Sequence, residues 1–309
     1  MDAGLLAAEA GTRALTALPR RLLLRIGSAL GDLLYATWAT RRRYVLNNLV
    51  LAFGAERPAA ELIAIARASY RHFGQGLLEV IASMHTSPAC VDRIVRVEHR
   101  RHVEAAFARG KGVVVISAHI GNWEICACKH GVFPRVVSAL ARPPRNARVA
   151  RFMLRTRRFP DVRVIPTRAT FRALREMLLA GEGVIFLLDI NAGKQGTFVE
   201  FFGRFASTHR GPAALALETG AEIIIATARR CPDSTHVWSY LQPFTLLRTG
   251  DRERDLLRNT AAITKIIEQE IRKRPGQYYW FHRRWKQRPE WEMRPSPART
   301  GLGSGPQGP

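Results

Sequence analysis

Val113-Val114-Val115-Ile116-Ser117-Ala118-His119-Ile120-Gly121-Asn122-Trp123-Glu124 decides how this chain is read. The first part is a short, β-branched apolar run, the kind that fills a strand buried on both faces. The second part is a glycine-containing turn that leads into a helix-compatible stretch. A histidine therefore stands where a buried strand leaves its sheet, with a carboxylate five residues on, in the first turn of the next helix. Neutral imidazole titrates near working pH, so it can take a proton from a hydroxyl and return it to a leaving group. Spacing alone does not make His119 and Glu124 a site. His99 and Glu104 have the same separation, in His99-Arg100-Arg101-His102-Val103-Glu104. Their surroundings read as one exposed, charged helix.

Outward from this stretch, apolar strands are expected at 113–117, 136–140, 162–165, 184–188 and 222–227. Helical patterns fall between most of them, near 121–130, 145–158, 169–180 and 211–219. Such alternation predicts an α/β fold, with a mostly parallel central sheet flanked by helices. A further strand is expected within 236–247 and a long helix over 252–274. Upstream, Leu62, Ile65, Phe73, Leu77 and Ile81 recur at helical spacing over 59–83, and 98–109 reads as another helix. The chain divides into an N-terminal amphipathic helical region (1–58), a catalytic α/β domain (59–294) and a Gly/Pro/Ser-rich tail (295–309) expected to be disordered. Ligands of open α/β sheets bind beyond the carboxyl ends of the strands. His119 falls there, as does Asp189, which closes Val184-Ile185-Phe186-Leu187-Leu188.

Lysine and arginine total 48 against 25 acids, a formal net charge of +23, and only six of the 48 are lysine. GC-rich coding can produce such an arginine bias, but the excess still attracts polyanions. No zinc finger, aromatic RNA-binding signature or basic zipper occurs, so nucleic acid is not expected. Anionic lipid or an acidic partner protein is favoured. Four scattered cysteines do not make a disulfide framework and suggest a reducing compartment. Cys126, Cys128 and His130 read as helix-packing residues, and no metal is expected. Acidic and basic residues interrupt the first twenty positions, so no signal peptide is read there, and no apolar run is long enough to span a bilayer. Over 21–39, Leu22, Ile26, Leu30, Leu33 and Leu34 share one helical face, and Arg21, Arg25, Ser28 and Asp32 another. Trp38 and Arg41-Arg42-Arg43 follow. That pattern suits a helix lying in an anionic membrane interface, and a core helix would explain the stripe equally well.

The chain lacks Gly-x-Ser-x-Gly, a phosphate-binding Gly-x4-Gly-Lys-Ser/Thr loop and Gly-x-Gly-x-x-Gly. What remains is a histidine base that needs an external nucleophile, such as a substrate hydroxyl. Glu124 is expected to hold the imidazole in its productive tautomer. Gly121 permits close backbone approach, and the helix start at Asn122 offers N–H groups to an anion. No cofactor is implied.

Ala118-His119-Ile120-Gly121-Asn122-Trp123-Glu124 resembles the His-x4-Asp/Glu signature of glycerolipid acyltransferases. The form is that of bacterial lipid A late acyltransferases and the related phosphatidylinositol mannoside acyltransferases. Further blocks match in order over about residues 20–290. They are Tyr44-Val45-Leu46-Asn47-Asn48-Leu49 with Ala52-Phe53, Arg142-Pro143-Pro144-Arg145-Asn146, and Phe198-Val199-Glu200-Phe201-Phe202-Gly203-Arg204. Thr208-His209-Arg210-Gly211-Pro212 and the aromatic–basic block Gln277-Tyr278-Tyr279-Trp280-Phe281-His282-Arg283-Arg284-Trp285-Lys286 complete the set. The resemblance implies that His119, partnered by Glu124, deprotonates an acceptor hydroxyl that attacks an acyl thioester. The donor would be acyl carrier protein or coenzyme A, and the acceptor a lipid at the cytoplasmic face of the inner membrane. It further implies that Arg142 binds phosphate or the developing oxyanion with Asn146 placing it, that Asp189 orients the acceptor, and that Arg210, Arg283, Arg284 and Lys286 meet anionic substrate. Two departures concern the acceptor: Asp189-Ile190 stands where many lipid A enzymes have Asp-Gln, and Glu200 where proline is common. Glu200 is then either a second carboxylate near the histidine or an exposed strand residue. A lysophospholipid or mannoside acceptor stays open, as does a non-catalytic basic peripheral-membrane or nucleic-acid-binding protein.

Overall fold

A computed structural model describes residues 3–141, 160–166 and 171–289. Three helices, α1 (Ala3–Ala17), α2 (Arg20–Thr37) and α3 (Ala39–Phe53), precede the long α4 (Ala59–Ser83) and the short α5 (Pro88–Ile94). Then follow β1 (Val95–Glu98), α6 (Arg100–Ala108), β2 (Val113–Ser117), α7 (Trp123–Ala127), β3 (Val137–Ala141), β4 (Val162–Pro166), α8 (Phe171–Leu179) and β5 (Gly183–Leu187). A hairpin of β6 (Thr197–Phe201) and β7 (Arg204–Thr208) precedes α9 (Gly211–Thr219), β8 (Glu222–Arg230), β9 (His236–Tyr240) and α10 (Arg252–Lys273).

The main sheet runs β1-β9-β8-β2-β5-β3-β4. Its ladders are parallel except β8–β9, which a short turn joins as an antiparallel pair. The expected mixed α/β architecture, mostly parallel and helix-flanked, is what forms. Central β2 is wholly buried, and its residues alternate between two cores. Val114 and Ile116 join Leu178, Leu215 and Ile263, whereas Val113 and Val115 join Phe107, Phe133 and Trp238. This is the period-two pleat with both faces covered. Against β5, Val113 pairs with Gly183 and Ser117 with Leu187. Residues two beyond each strand end, His119 and Asp189, therefore emerge side by side.

Helices at 59–83 and 211–219 have the bounds expected from sequence; β1 and the pairing of β6 with β7 as a hairpin were not expected. The hairpin closes on Phe202 and Gly203, both with positive φ (55° and 70°), as a two-residue turn matching strand twist requires.

The N-terminal helices dock on α4 through glycine. A Cβ on Gly74 would lie 2.1 Å from the Gly27 carbonyl oxygen, and one on Gly31 would lie 2.4 Å from that of Tyr70. Only glycine lets α2 and α4 approach this closely. The buried face of α2 is therefore Leu23, Leu24, Gly27 and Gly31. Leu22, Ile26 and Leu33, at 43, 41 and 58% exposure, point outward. Hydropathy placed them with Leu30 and Leu34, which are half-buried. No helix among the described residues is long and apolar enough to cross a membrane.

Candidate active site

The turn after β2 is held from three sides. Gly121 has φ +62°, and a Cβ there would lie 2.4 Å from the Ala228 carbonyl oxygen on β8, so glycine alone fits. Asn122 caps α7, its Oδ1 accepting from the Ile125 N–H at 3.2 Å. Its Nδ2 donates to Glu79 Oε2 at 2.8 Å. Along the other edge lies the aromatic–basic block. Gly121 N–H donates to the Gln277 carbonyl (2.9 Å) and Tyr279 N–H donates to that of His119 (2.9 Å), with an antiparallel bridge between Ile120 and Tyr278. Ser69 Oγ fastens this segment at the Tyr278 carbonyl, and Asn48 Nδ2 at the carbonyls of Trp280 and His282.

His119 Nδ1 lies 2.9 Å from Asp189 Oδ1, and the His119 backbone N–H donates to Asp189 Oδ2 at 3.1 Å. The Asp189 side chain is fully buried and that of His119 is 16% exposed. Burial pushes the Asp189 carboxyl upward, but the charge and hydrogen bonds of His119 outweigh it and hold the group well below the usual carboxylate range. An ionised carboxylate only accepts, so Nδ1 carries the proton and Nε2 keeps its lone pair. Glu124 was expected to hold the tautomer; the carboxylate hydrogen-bonded to Nδ1 is that of Asp189. Strand register brings Asp189 there, whereas sequence proximity had favoured Glu124. Glu124 remains in the first turn of α7 and borders the same cavity.

That cavity, about 1380 Å³, is larger than the ~300–1,000 Å³ usual for small-ligand clefts. Its polar lining includes His119, Glu124, His282 and Lys286. Leu77, Ile81, Val132, Phe133, Val162 and Trp238 supply apolar wall. His119 thus borders a large, mostly apolar space.

Comparison with known proteins agrees with this chemistry. Residues 4–287 match the family described as "Bacterial lipid A biosynthesis acyltransferase". The chain belongs to the bacterial lipid A biosynthesis acyltransferases. Membership makes it an O-acyltransferase. It is 25% identical over 274 residues to the lipid A biosynthesis palmitoleoyltransferase of Escherichia coli, covering 88% of this chain and 87% of that one. It is 26% identical over 193 residues to a phosphatidylinositol mannoside acyltransferase of Mycobacterium tuberculosis, covering 60% and 58%. The crystal structure of a 1-acyl-sn-glycerophosphate acyltransferase from Thermotoga maritima is a looser likeness, with a TM-score of 0.37 and 14% identity over 82% of this chain and 98% of that one.

Within this acyltransferase the other expected site residues separate clearly. Arg142 and Asn146 lie outside the described residues. Gly121 and Asn122 border the cavity, yet their hydrogen bonds serve the turn itself. Arg284 was expected to meet anionic substrate, but it is 2% exposed. It donates to the carbonyls of Ile190 (3.1 Å) and Ser207 and to Thr208 Oγ1 (2.6 Å), and burial lowers its pKa to about 10. It ties the Asp189 loop to β7. Arg283 is exposed and rests on Tyr44, bonding its hydroxyl at 2.7 Å. Lys286 is the basic residue of that block that reaches the cavity. Arg210 pairs with Glu253 on the surface at 2.5 Å, beside cavity-lining His209 and Gly211. Glu200 is exposed on β6 opposite Phe205 and does not border the cavity. The alternative pair separates as well: Glu104 binds Arg100 at 2.7 Å, and His99 begins α6.

Three groups escaped the sequence reading. His282 was visible only as part of a basic block. His72 borders the cavity and is held down to about pKa 3, mainly by burial. Glu79, 3% exposed, receives Arg20 (2.7 Å), Arg230 (2.8 and 2.6 Å), His236 (3.0 Å) and Asn122. A glutamate in the middle of a long helix gives no sign that it anchors the catalytic turn. His119, Asp189 and His282 bring ligand-type atoms within 4.8 Å of one another. Nδ1 of His119 and Oδ1 of Asp189 are already joined by a direct hydrogen bond. Cys126 and Cys128 are buried free thiols whose pKa values burial raises, in keeping with helix packing.

Proposed function

We propose that this acyltransferase moves a fatty acyl chain from a thioester donor, acyl carrier protein or coenzyme A, to a hydroxyl of a glycolipid such as a lipid A precursor. One observation carries the reading: the buried Asp189 carboxylate lies 2.9 Å from Nδ1 of His119, which would place the neutral imidazole's proton on Nδ1, and His119 borders a large, mostly apolar cavity. The acceptor hydroxyl gives its proton to Nε2 as its oxygen attacks the thioester carbonyl. Asp189 stabilises the resulting imidazolium, and Glu124 adds a second negative charge at the cavity wall. As the C–S bond breaks, His119 returns the proton to the leaving thiolate. The apolar wall receives the acyl chain. On the family resemblance alone, Arg142 binds phosphate or the developing oxyanion, with Asn146 placing it.

The donors and acceptors of this chemistry are anionic, which suits a net charge of +23. We assign the protein to the cytoplasmic face of the inner membrane as a peripheral protein. The outward Leu22, Ile26 and Leu33 of α2, beside exposed Arg21 and Arg25, support an interfacial helix. Of the arginine run, Arg41 and Arg42 bond backbone carbonyls, so the apolar stripe carries more of this argument than the charge does. A mannoside or lysophospholipid acceptor is the second reading, favoured by the mannoside acyltransferase likeness.

The test is acyl transfer by purified protein in mixed micelles, with acyl carrier protein and coenzyme A thioesters offered separately to each acceptor class. His119→Ala should lower turnover at least about 10²-fold, as loss of a general base does. Unchanged turnover refutes the mechanism, and transfer to mannoside or lysophospholipid alone selects the second reading.

A further inference from the structure

Opposite His119 stands a second imidazole, for which the chemistry so far gives no use. The His282 ring lies 4.5 Å from that of His119, centroid to centroid and at 68°, and 4.8 Å from Tyr279. It borders the cavity. Its Nε2 is buried and has no hydrogen-bond partner among the described residues. Leaving a buried polar atom unpaired costs about 1–3 kcal/mol, so such an atom at a site is a candidate to be matched in the reacting complex. The residue is also held rigidly, since its carbonyl accepts from Asn48 Nδ2 at 2.7 Å.

We infer that His282 is a second catalytic residue, whose imidazole N–H donates a hydrogen bond to the thioester carbonyl oxygen as that oxygen becomes an oxyanion. The inference rests on the acyl-transfer reading. Ligand-type atoms of His119, Asp189 and His282 lie within 4.8 Å of one another. With their ring centroids 4.5 Å apart, the two imidazoles can each reach an oxygen about 2.8 Å from a ring nitrogen, and in the tetrahedral intermediate the attacking and carbonyl oxygens share one carbon. The acceptor O–H proton passes to His119 Nε2, and the oxygen's electron pair forms the new C–O bond. The carbonyl π pair moves onto its oxygen, where the His282 N–H meets it. Collapse of the oxyanion re-forms C=O, breaks C–S, and the thiolate takes the proton from His119.

The protonation state suits this division of labour. Burial first, and then the charge of His119, hold His282 down to about pKa 4. It stays neutral at neutral pH, so it does not compete with His119 for the travelling proton. A neutral donor fixed in a water-poor pocket is effective toward a charge that appears only in the transition state.

His282→Phe keeps an aromatic ring and removes the donor, whereas His282→Gln removes the ring and keeps an N–H donor. Both are compared with wild type and His119→Ala by steady-state kinetics and thermal melting. His282→Phe should lose about 10²–10³-fold in kcat, the usual effect of removing one oxyanion donor, with KM for either substrate changed by less than about threefold. His282→Gln should recover most of that loss. The opposite order, with His282→Phe near wild type and His282→Gln impaired, would show that the ring only fills space and overturns the inference. A defect confined to the acceptor KM also overturns it, because the residue would then only position that substrate. Full activity of both variants beside an inactive His119→Ala removes His282 alone. Full activity of all three removes the acyl-transfer mechanism with it.

Discussion

Asp189→Asn tests whether the nonlocal carboxylate governs the base. The native side chain accepts two hydrogen bonds from His119, Oδ1 from the Nδ1 proton and Oδ2 from the backbone N–H. An amide has one oxygen and one NH2 in place of two oxygens. The backbone N–H cannot turn away, so the amide oxygen goes to it and the NH2 faces Nδ1. Nδ1 must then accept, which moves the imidazole proton to Nε2 and removes the lone pair that would receive the substrate proton. The productive tautomer would place two donors against each other in a buried site, with about 1–3 kcal/mol for each unmatched group. Together they give roughly 2–6 kcal/mol, or on the order of 30- to 20,000-fold in the productive fraction at about 1.4 kcal/mol per decade. We expect kcat to fall by that range with KM for donor and acceptor nearly unchanged. Thermal melting should confirm that the fold survives, and initial-rate assays in mixed micelles give both parameters. A variant within tenfold of wild type would refute the tautomer argument and return the orienting role to Glu124.

Glu79→Gln removes a buried charge facing Arg20, Arg230 and His236 and should destabilise by about 3–5 kcal/mol. Burial raises the Glu79 pKa, but hydrogen bonds and charge from His236 and Arg230 win and hold it below the usual carboxylate range. A depressed folded pKa contributes stability above the unfolded value of about 4.3 and loses it as pH falls below that. The melting gap between wild type and variant should therefore be constant above about pH 5 and narrow below pH 4; a pH-independent gap would contradict this. Gly121→Ala combines a positive φ with a contact of 2.4 Å to the Ala228 carbonyl. It should lower stability by at least about 1–3 kcal/mol and displace His119, with activity lost further than stability; wild-type melting and turnover would be the contrary result. Serine at Leu22, Ile26 and Leu33 together should leave melting unchanged, because all three are exposed. Flotation on anionic vesicles should weaken roughly 10²-fold, at about 1 kcal/mol per side chain for partial burial. Undiminished flotation would remove α2 as the anchor.

What could be read from sequence, and what could not, divides along a physical line. Strand β2 and helices α4 and α9 are legible because their apolar periodicity is local. So is the position of His119, since a buried run that ends in a turn marks the binding edge of a parallel sheet. The histidine's partner is not local. A carboxylate in the next helical turn is nearest in sequence, yet pairing Ser117 with Leu187 delivers Asp189 to Nδ1. Neither strand shows its register to a reading of one segment at a time. The same limit explains the arginines. Arg283, Arg284 and Lys286 look equivalent in a basic run, but residues 277–279 lie along 119–121. That turns Arg284 inward onto Ser207 and Thr208, sends Arg283 out to Tyr44, and leaves Lys286 at the cavity. It also brings His282 over His119, so a block read as a phosphate contact supplies a wall of the active site. The glycines of α2 complete the pattern: Gly27 and Gly31 carry no hydrophobic signal, yet they select the buried face and turn Leu22, Ile26 and Leu33 outward. For a site at strand ends, the residue two beyond the end of the neighbouring parallel strand is therefore as strong a candidate partner as one in the following helix. Here register chooses between them.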